Sequence, residues 1–193
     1  MTGIYSIAVF CGSRPGADPA FAAAARALGL GLAEAGIRLV YGGGRTGMMG
    51  ILADAVLEGG GAVLGVIPDF LTQREVVHPG VTEMIVTDSM HSRKRLMAEE
   101  AHAFVMLPGG IGTMDETIEI ISWRQLRLHD KPVFLCDIAG SAMPLLAAIE
   151  DAIARGFAGP ETRDLFTVVN GVPALMEQLR RAPRGSGVAA SRL

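Results

Sequence analysis

The sequence predicts a doubly wound, Rossmann-like α/β fold with a mostly parallel sheet in a single domain, and three observations lead there. Apolar runs of strand length alternate with segments of helical periodicity along the chain, the pattern of repeated strand–helix units. Half of the residues are hydrophobic but only 5% are aromatic, so the core has to be built of Ala, Val, Ile and Leu, which suits buried parallel strands. The length of 193 residues is that of one domain with a substantial core. The domain is expected over residues 1–180.

Taken in order, Ile4 to Phe10 reads as the first strand and Cys11-Gly12-Ser13-Arg14-Pro15-Gly16 as the turn at its carboxyl end. Asp18 is a good N-cap and Pro19 a good first position for an alanine-rich helix ending near Gly36. Ile37 to Tyr41 is the second strand. The glycine-rich stretch Gly42 to Gly50 then leads into a helix that reaches about Glu58, where three glycines stop it. Ala62 to Ile67 is a third strand, closed by Pro68. Asp69 to Glu83 has no clear period and is long for an ordinary connection, which points to a functional loop.

Met84 to Val86 is a fourth strand, and Asp88 or Ser89 can cap a helix carrying His91, Arg93, Lys94 and Arg95. Ala103 to Leu107 is a fifth. It turns through Pro108, Gly109 and Gly110 into a long helical segment expected to reach about His129. A strand from Pro132 to Cys136, a helix from about Pro144 to Arg155, a strand near Phe166 to Val169 and a short helix after Pro173 complete the pattern. Residues 181–193 are basic, with no apolar period to bury, and are expected to be a disordered tail.

A net charge of −3 and the lack of a Lys/Arg run in the folded body argue against nucleic acid or an anionic membrane as a partner. A small molecule is the better expectation. No apolar run reaches the ~18 residues of a membrane helix and no signal-like segment opens the chain, so a cytoplasmic protein is expected. Cys11 and Cys136 each end an apolar run and read as free core thiols. The histidines 78, 91, 102 and 129 lack metal spacing and suggest packing or surface roles, although His78 lies in the long loop where a ligand could reach it. Neither a metal nor a cofactor is expected.

In open α/β sheets, ligands sit beyond the carboxyl ends of the strands. Four loops lie at such ends: Ser13 to Gly16, Gly42 to Gly47, Ser89 to Arg93, and Gly109 to Glu116. Gly42-x-Gly44-x-x-Gly47 formally matches a dinucleotide fingerprint, with Asp69 about 20 residues on. The match is weak, because it follows the second strand and a chain with 25 glycines produces such spacings by chance. A phosphate- or ribose-contacting loop, with Gly43 near the ligand, is the broader reading. Arg93 lies in the first turn of its helix, where a cation opposes the helix dipole unless an anion resolves the conflict.

The turn from Gly109 to Thr113 presents unpaired N–H groups and the positive end of a helix dipole, a natural phosphate seat. Glu116 follows it. Thr113-x-x-Glu116 also has the form of a capping box, which is the structural alternative for this carboxylate. Glu119 shares its helix face, while Asp115 points elsewhere. Ile118, Ile121, Trp123 and Leu126 on the same helix suggest core or a subunit interface.

Met90-His91-Ser92-Arg93-Lys94, followed by Pro108-Gly109-Gly110-Ile111-Gly112-Thr113-Met114-Asp115-Glu116, resembles the LONELY GUY family of cytokinin-activating phosphoribohydrolases. The similarity extends from Val9-Phe10-Cys11-Gly12-Ser13, through Tyr41-Gly42-Gly43-Gly44, to the segment from Trp123 to Pro132. The resemblance implies hydrolysis of the N-glycosidic bond of an N6-substituted adenosine 5'-monophosphate by a homodimer whose active site lies near the subunit interface. It puts the catalytic arginine and glutamate on Arg93 and Glu116. Nucleotide contacts fall on Glu75, Lys94, the run Gly110, Ile111, Gly112, Thr113, Met114, Asp115, and a hydroxyl at Ser122. Threonine is common where Ser122 stands, and an aromatic residue where Ile111 stands.

Many members carry a lysine decarboxylase label, yet Lys94 and Lys131 are the only lysines available for a pyridoxal Schiff base, and neither is well placed in the sequence. The competing expectation is a non-catalytic nucleotide or molybdenum-cofactor carrier on the same fold.

Overall fold

The computed structural model describes residues 3–72, 76–183 and 185. Its strands are β1 (Ser6–Phe10), β2 (Arg38–Tyr41), β3 (Val63–Pro68), β4 (Glu83–Thr87), β5 (Ala103–Met106), β6 (Val133–Asp137) and β7 (Thr167–Asn170). They form one sheet in the order β4-β3-β2-β1-β5-β6-β7, with every neighbouring pair parallel. The helices are α1 (Pro19–Glu34), α2 (Gly47–Glu58), α3 (Asp69–Thr72), α4 (Met90–Glu100), α5 (Ile111–Gln125), α6 (Met143–Ala154) and α7 (Gly171–Arg181), with a 3₁₀ turn over Pro160–Leu165.

Along the central strand β1, Ile7 and Val9 face one core, shared with α1, α2 and α7, while Ala8 and Phe10 face a second, shared with α4 and α5. Both faces are covered, which is why the strand reads as an unbroken apolar run. Each large side chain fully withdrawn from water here, such as Ile7, Leu28 or Leu39, contributes roughly 1.5–3 kcal/mol. The edge strand β4 is correspondingly less buried.

Local signals explain most boundaries. The Asp18 carboxylate accepts from the Ala20 N–H at 2.9 Å, and Pro19 opens α1. Ser89 caps α4 in a reciprocal box with Ser92, each hydroxyl accepting from the other residue's N–H at 3.1 Å.

Two expectations need correcting. The helix after Gly110 ends at Gln125 rather than near His129. Leu128 N–H donates to Trp123 O and Arg127 N–H to Arg124 O, a Schellman stop with Arg127 at φ +58°, a place where glycine is the usual signal. The stretch after Pro68 is not wholly irregular either. It begins with α3, and Gly44 and Val77 form an isolated antiparallel bridge beside it. Residues 73–75, with the expected contact Glu75, lie outside the described residues. So do residues 184 and 186–193 of the expected tail, whose first residue, Arg181, still belongs to α7.

Candidate active site

The strand order reverses between β1 and β5, where one connection leaves to one face of the sheet and the other to the opposite face. The crevice at such a switch point is the expected ligand site of an open α/β sheet. The turn after β1 and the turn after β5 meet there: Gly12 N–H donates to Pro108 O at 3.0 Å. A Cβ on Gly12 would sit 2.9 Å from Arg14 O and 3.3 Å from the Gly109 Cα, so only glycine lets the two turns touch. A cleft of about 750 Å³ opens over them, within the range of small-molecule sites.

One wall is the start of α5. Gly110 is the N-cap and no side chain caps it, while Met114 N–H donates back to Gly110 O at 3.1 Å. The capping box expected from Thr113 and Glu116 is therefore not formed. The helix starts at Ile111, so Thr113 is its third residue and Glu116 its sixth, in the second turn. The helix-start N–H groups face the cleft lined by Gly110, Ile111, Gly112 and Thr113, as an anion seat requires.

The other wall is built by α4. Arg93 is buried at 7% exposure; its Nε donates to Val66 O at 3.1 Å and its Nη2 to Gly42 O at 3.3 Å, at the carboxyl ends of β3 and β2. A Cβ on Gly42 would lie 2.2 Å from Nη2, so the glycine makes room for the guanidinium. Nη2 also stands 4.0 Å from Glu116 Oε1, with the Glu116 side chain only 14% exposed. Burial pushes the Glu116 carboxyl above its ordinary range; the charges of Arg93 and Lys94 offset part of that rise.

Of the expected contacts, Ser13, Arg93, Gly109, Gly110, Ile111, Gly112, Thr113 and Glu116 line this one cleft. Gly43, Lys94, Met114, Asp115 and Ser122 are not among its lining residues. Lys94 Nζ instead bonds Asp115 Oδ2 at 2.7 Å and stands 3.2 Å from Glu119 Oε2. His78 is buried away from the cleft, with Nε2 3.0 Å from Asp54 Oδ1 and its N–H donating to Gly43 O. It fastens the segment beyond β3 to the glycine loop rather than reaching a ligand. Sequence reasoning missed the apolar wall of Phe21, Met48 and Met49, which come from two helices with no spacing in common. It also placed Cys11 simply in the core. The thiol does pack there, but it lines the cleft too, and burial, reinforced by the charge of Glu116, raises its pKa well beyond the ordinary range.

A protein family described as "possible lysine decarboxylase" matches residues 49–179. The chain is 43% identical over 176 residues to the cytokinin riboside 5'-monophosphate phosphoribohydrolase of Rhodococcoides fascians, covering 91% of this chain and 89% of that one. It is 44% identical over 173 residues to the Arabidopsis thaliana enzyme of that name, LOG7, covering 90% and 80%. Among solved structures, the molybdenum cofactor binding protein of Rippkaea orientalis superposes with a TM-score of 0.68 at 20% identity, over 90% of this chain and 94% of that one, a likeness of fold.

The decarboxylase description does not fit the site. Lys131 is buried, donating to Ala98 O at 2.7 Å and Ala101 O at 2.5 Å, and Lys94 is engaged by two carboxylates, so neither amine is presented to the cleft for a Schiff base. With the Arg93–Glu116 pair and the open glycine turn at family spacing, and with this identity over most of its length, the chain belongs to the LONELY GUY family.

Proposed function

We propose that this protein hydrolyses the N-glycosidic bond of an N6-substituted adenosine 5'-monophosphate, releasing the free base and ribose 5-phosphate. The observation that carries this reading is the buried Arg93–Glu116 pair, 4.0 Å apart, lining one cleft together with the open start of α5. A phosphate dianion accepts from the N–H groups at Gly110 to Thr113 and holds the ribose in the cleft. Bond cleavage builds positive charge on the sugar and negative charge on the departing purine. Glu116 stabilises the first and either takes a proton from water or attacks the anomeric carbon. Arg93, fixed by two carbonyls, stabilises negative charge without having to reorganise. Phe21, Met48 and Met49 offer an apolar wall suited to a base bearing an alkyl group.

Incubation with AMP and with isopentenyl-AMP tests this. Release of free base with ribose 5-phosphate is the expected outcome. Stoichiometric binding with the nucleotide left intact would show a carrier instead.

We further propose that the protein works in the cytoplasm as a homodimer. Both cysteines are free, and no described helix is long and apolar enough to cross a membrane. Of the four apolar residues expected at a core or an interface, Ile121 and Trp123 are buried, whereas Ile118 is 49% and Leu126 69% exposed. With Ile111 at 87% they form a helical stripe that also passes Met114 and Ser122 and runs from the cleft along α5. A second copy packed on this stripe would bring its own α5 beside the site. Ile118→Asp should then convert a dimer to a monomer in light scattering; a wild-type monomer rejects the dimer.

A further inference from the structure

The two catalytic side chains stand on different helices, and each has a charged neighbour in sequence. Arg93 precedes Lys94 on α4, and Glu116 follows Asp115 on α5. Inside the cleft Arg93 faces Glu116. Outside it Lys94 Nζ reaches Asp115 at 2.7 Å and Glu119 at 3.2 Å, with the Lys94 side chain only 14% exposed. The helices α4 and α5 share the sheet face at β1 and one apolar core, to which α4 gives Met97 and Ala98 and α5 gives Ile120, Ile121 and Trp123; beyond β1, α4 lies over β2 to β4 and α5 over β5 and the 3₁₀ turn. To this apolar contact the ion cluster adds a direct polar tie between the two helices. The Arg93 guanidinium is already tied to the ends of β2 and β3, so its distance to Glu116 depends on where α5 is held.

We infer that Lys94 is a positioning residue, tying Asp115 and Glu119 of α5 to α4 so that Glu116 is held at its working distance from Arg93. The inference rests on the hydrolase reading for its kinetic consequence and on geometry alone for its structural one. A lysine that merely bound nucleotide would act mainly on KM. One that sets the spacing of two catalytic groups acts on kcat, because the misplacement of a reacting group by an ångström costs about 10²-fold.

Steady-state base release should be compared for the wild type, Lys94→Gln, Lys94→Arg and the double variant Asp115→Asn/Glu119→Gln. Lys94→Gln is expected to lower kcat at least tenfold with KM changed less than threefold, and Lys94→Arg to recover most of the loss. The double variant leaves Lys94 in place and alters only partly exposed carboxylates, so folding is not at risk. It should reproduce the loss in kcat, and Lys94→Gln added to it should cost little more. In its crystal structure the Arg93–Glu116 separation should exceed the present 4.0 Å. A double variant with wild-type kcat and an unchanged separation overturns the inference, as does a Lys94→Gln effect confined to KM. The separation is measured whether or not the wild type turns over. A wild type that releases no base would therefore sink the hydrolase reading, while the separation alone still decides for or against the tie.

Discussion

Two glycine-rich turns in this molecule look alike in sequence and do opposite things. Gly42 to Gly47 and Gly109 to Gly112 each follow a buried strand and open a helix, and the first has the better formal match to a nucleotide fingerprint. Its helix start is nonetheless filled by the protein itself: Met48 N–H and Met49 N–H both donate to Gly12 O, at 3.1 and 3.3 Å. Gly47 has φ +60°, and a Cβ there would lie 2.3 Å from the Ser13 carbonyl carbon. At Gly110 and Gly112, by contrast, a Cβ would meet nothing within 4 Å. The first turn needs glycine because other atoms are already there; in the second only Gly109 is packed in this way, against Thr113 and Gly12, while Gly110 and Gly112 leave space open. A glycine motif alone does not distinguish packing from access.

The largest expected effect concerns the carboxylate behind the open turn. Glu116→Gln should lower kcat for base release by roughly 10²- to 10⁴-fold while nucleotide affinity, read by calorimetry, stays near that of the wild type. Turnover at the wild-type rate would reduce the open turn to a binding loop and leave Glu116 with no chemical role. Arg93→Ala should also lower kcat, and by vacating the space beside Gly42 it couples the two turns. An effect on KM alone would restrict the arginine to uniform binding.

Next comes Gly47→Ala in the closed turn. The left-handed backbone and the Ser13 main chain both oppose a methyl group, so a loss of about 2–4 kcal/mol in denaturant unfolding is expected. A neutral result would mean that the turn after β1 yields easily, and the contrast between filled and open turns would fail.

A smaller effect is set by pH. Burial raises Glu116 above its ordinary value of 4.5, so the folded protein binds its proton more tightly than the unfolded chain. The stability this group contributes is complete below 4.5 and is lost as pH rises through the raised value, with a slope of at most about 1.4 kcal/mol per pH unit. Glu116→Gln has no such loss. The difference in Tm between the variant and the wild type should therefore grow over that window and level off above it. A difference independent of pH would mean that the carboxylate is not withdrawn from water, and that the cleft behind the open turn is wetter than its walls suggest.

The same contrast marks what could be read from the chain. The sheet was legible because each strand is a short apolar run between helices, and the meeting of Arg93 and Glu116 at one cleft was legible because each lies near the start of a helix that follows a strand. What Gly42 does was not, since its neighbour Arg93 is 51 residues away and nothing local announces the contact. The end of α5 was misjudged because Arg127 occupies a position that glycine usually marks. The capping box failed for a related reason: Thr113-x-x-Glu116 has the right pattern, but Gly110 starts the helix three residues before Thr113. The apolar wall of Phe21, Met48 and Met49 had no sequence signal, because each reads as an ordinary helix residue until two helix starts converge on one cleft.

The finest test uses the same small change in the open turn. Gly112 is the second residue of α5, its backbone is helical, and a methyl group there meets no neighbour. Alanine in place of glycine in a helix is favourable by up to about 1 kcal/mol, so Gly112→Ala should raise Tm where Gly47→Ala lowers it. The methyl would at the same time intrude on the space in front of the helix-start N–H groups. KM for the 5'-monophosphate should then rise about tenfold, equivalent to about 1.4 kcal/mol, and any accompanying fall in kcat measures how far the phosphate positions the ribose for reaction. The corresponding nucleoside, which lacks the phosphate, should be bound equally well by the variant and the wild type. A variant that is stabilised but shows the same KM for the monophosphate would place the phosphate elsewhere. The openness at Gly112 would then be no more than an unfilled surface.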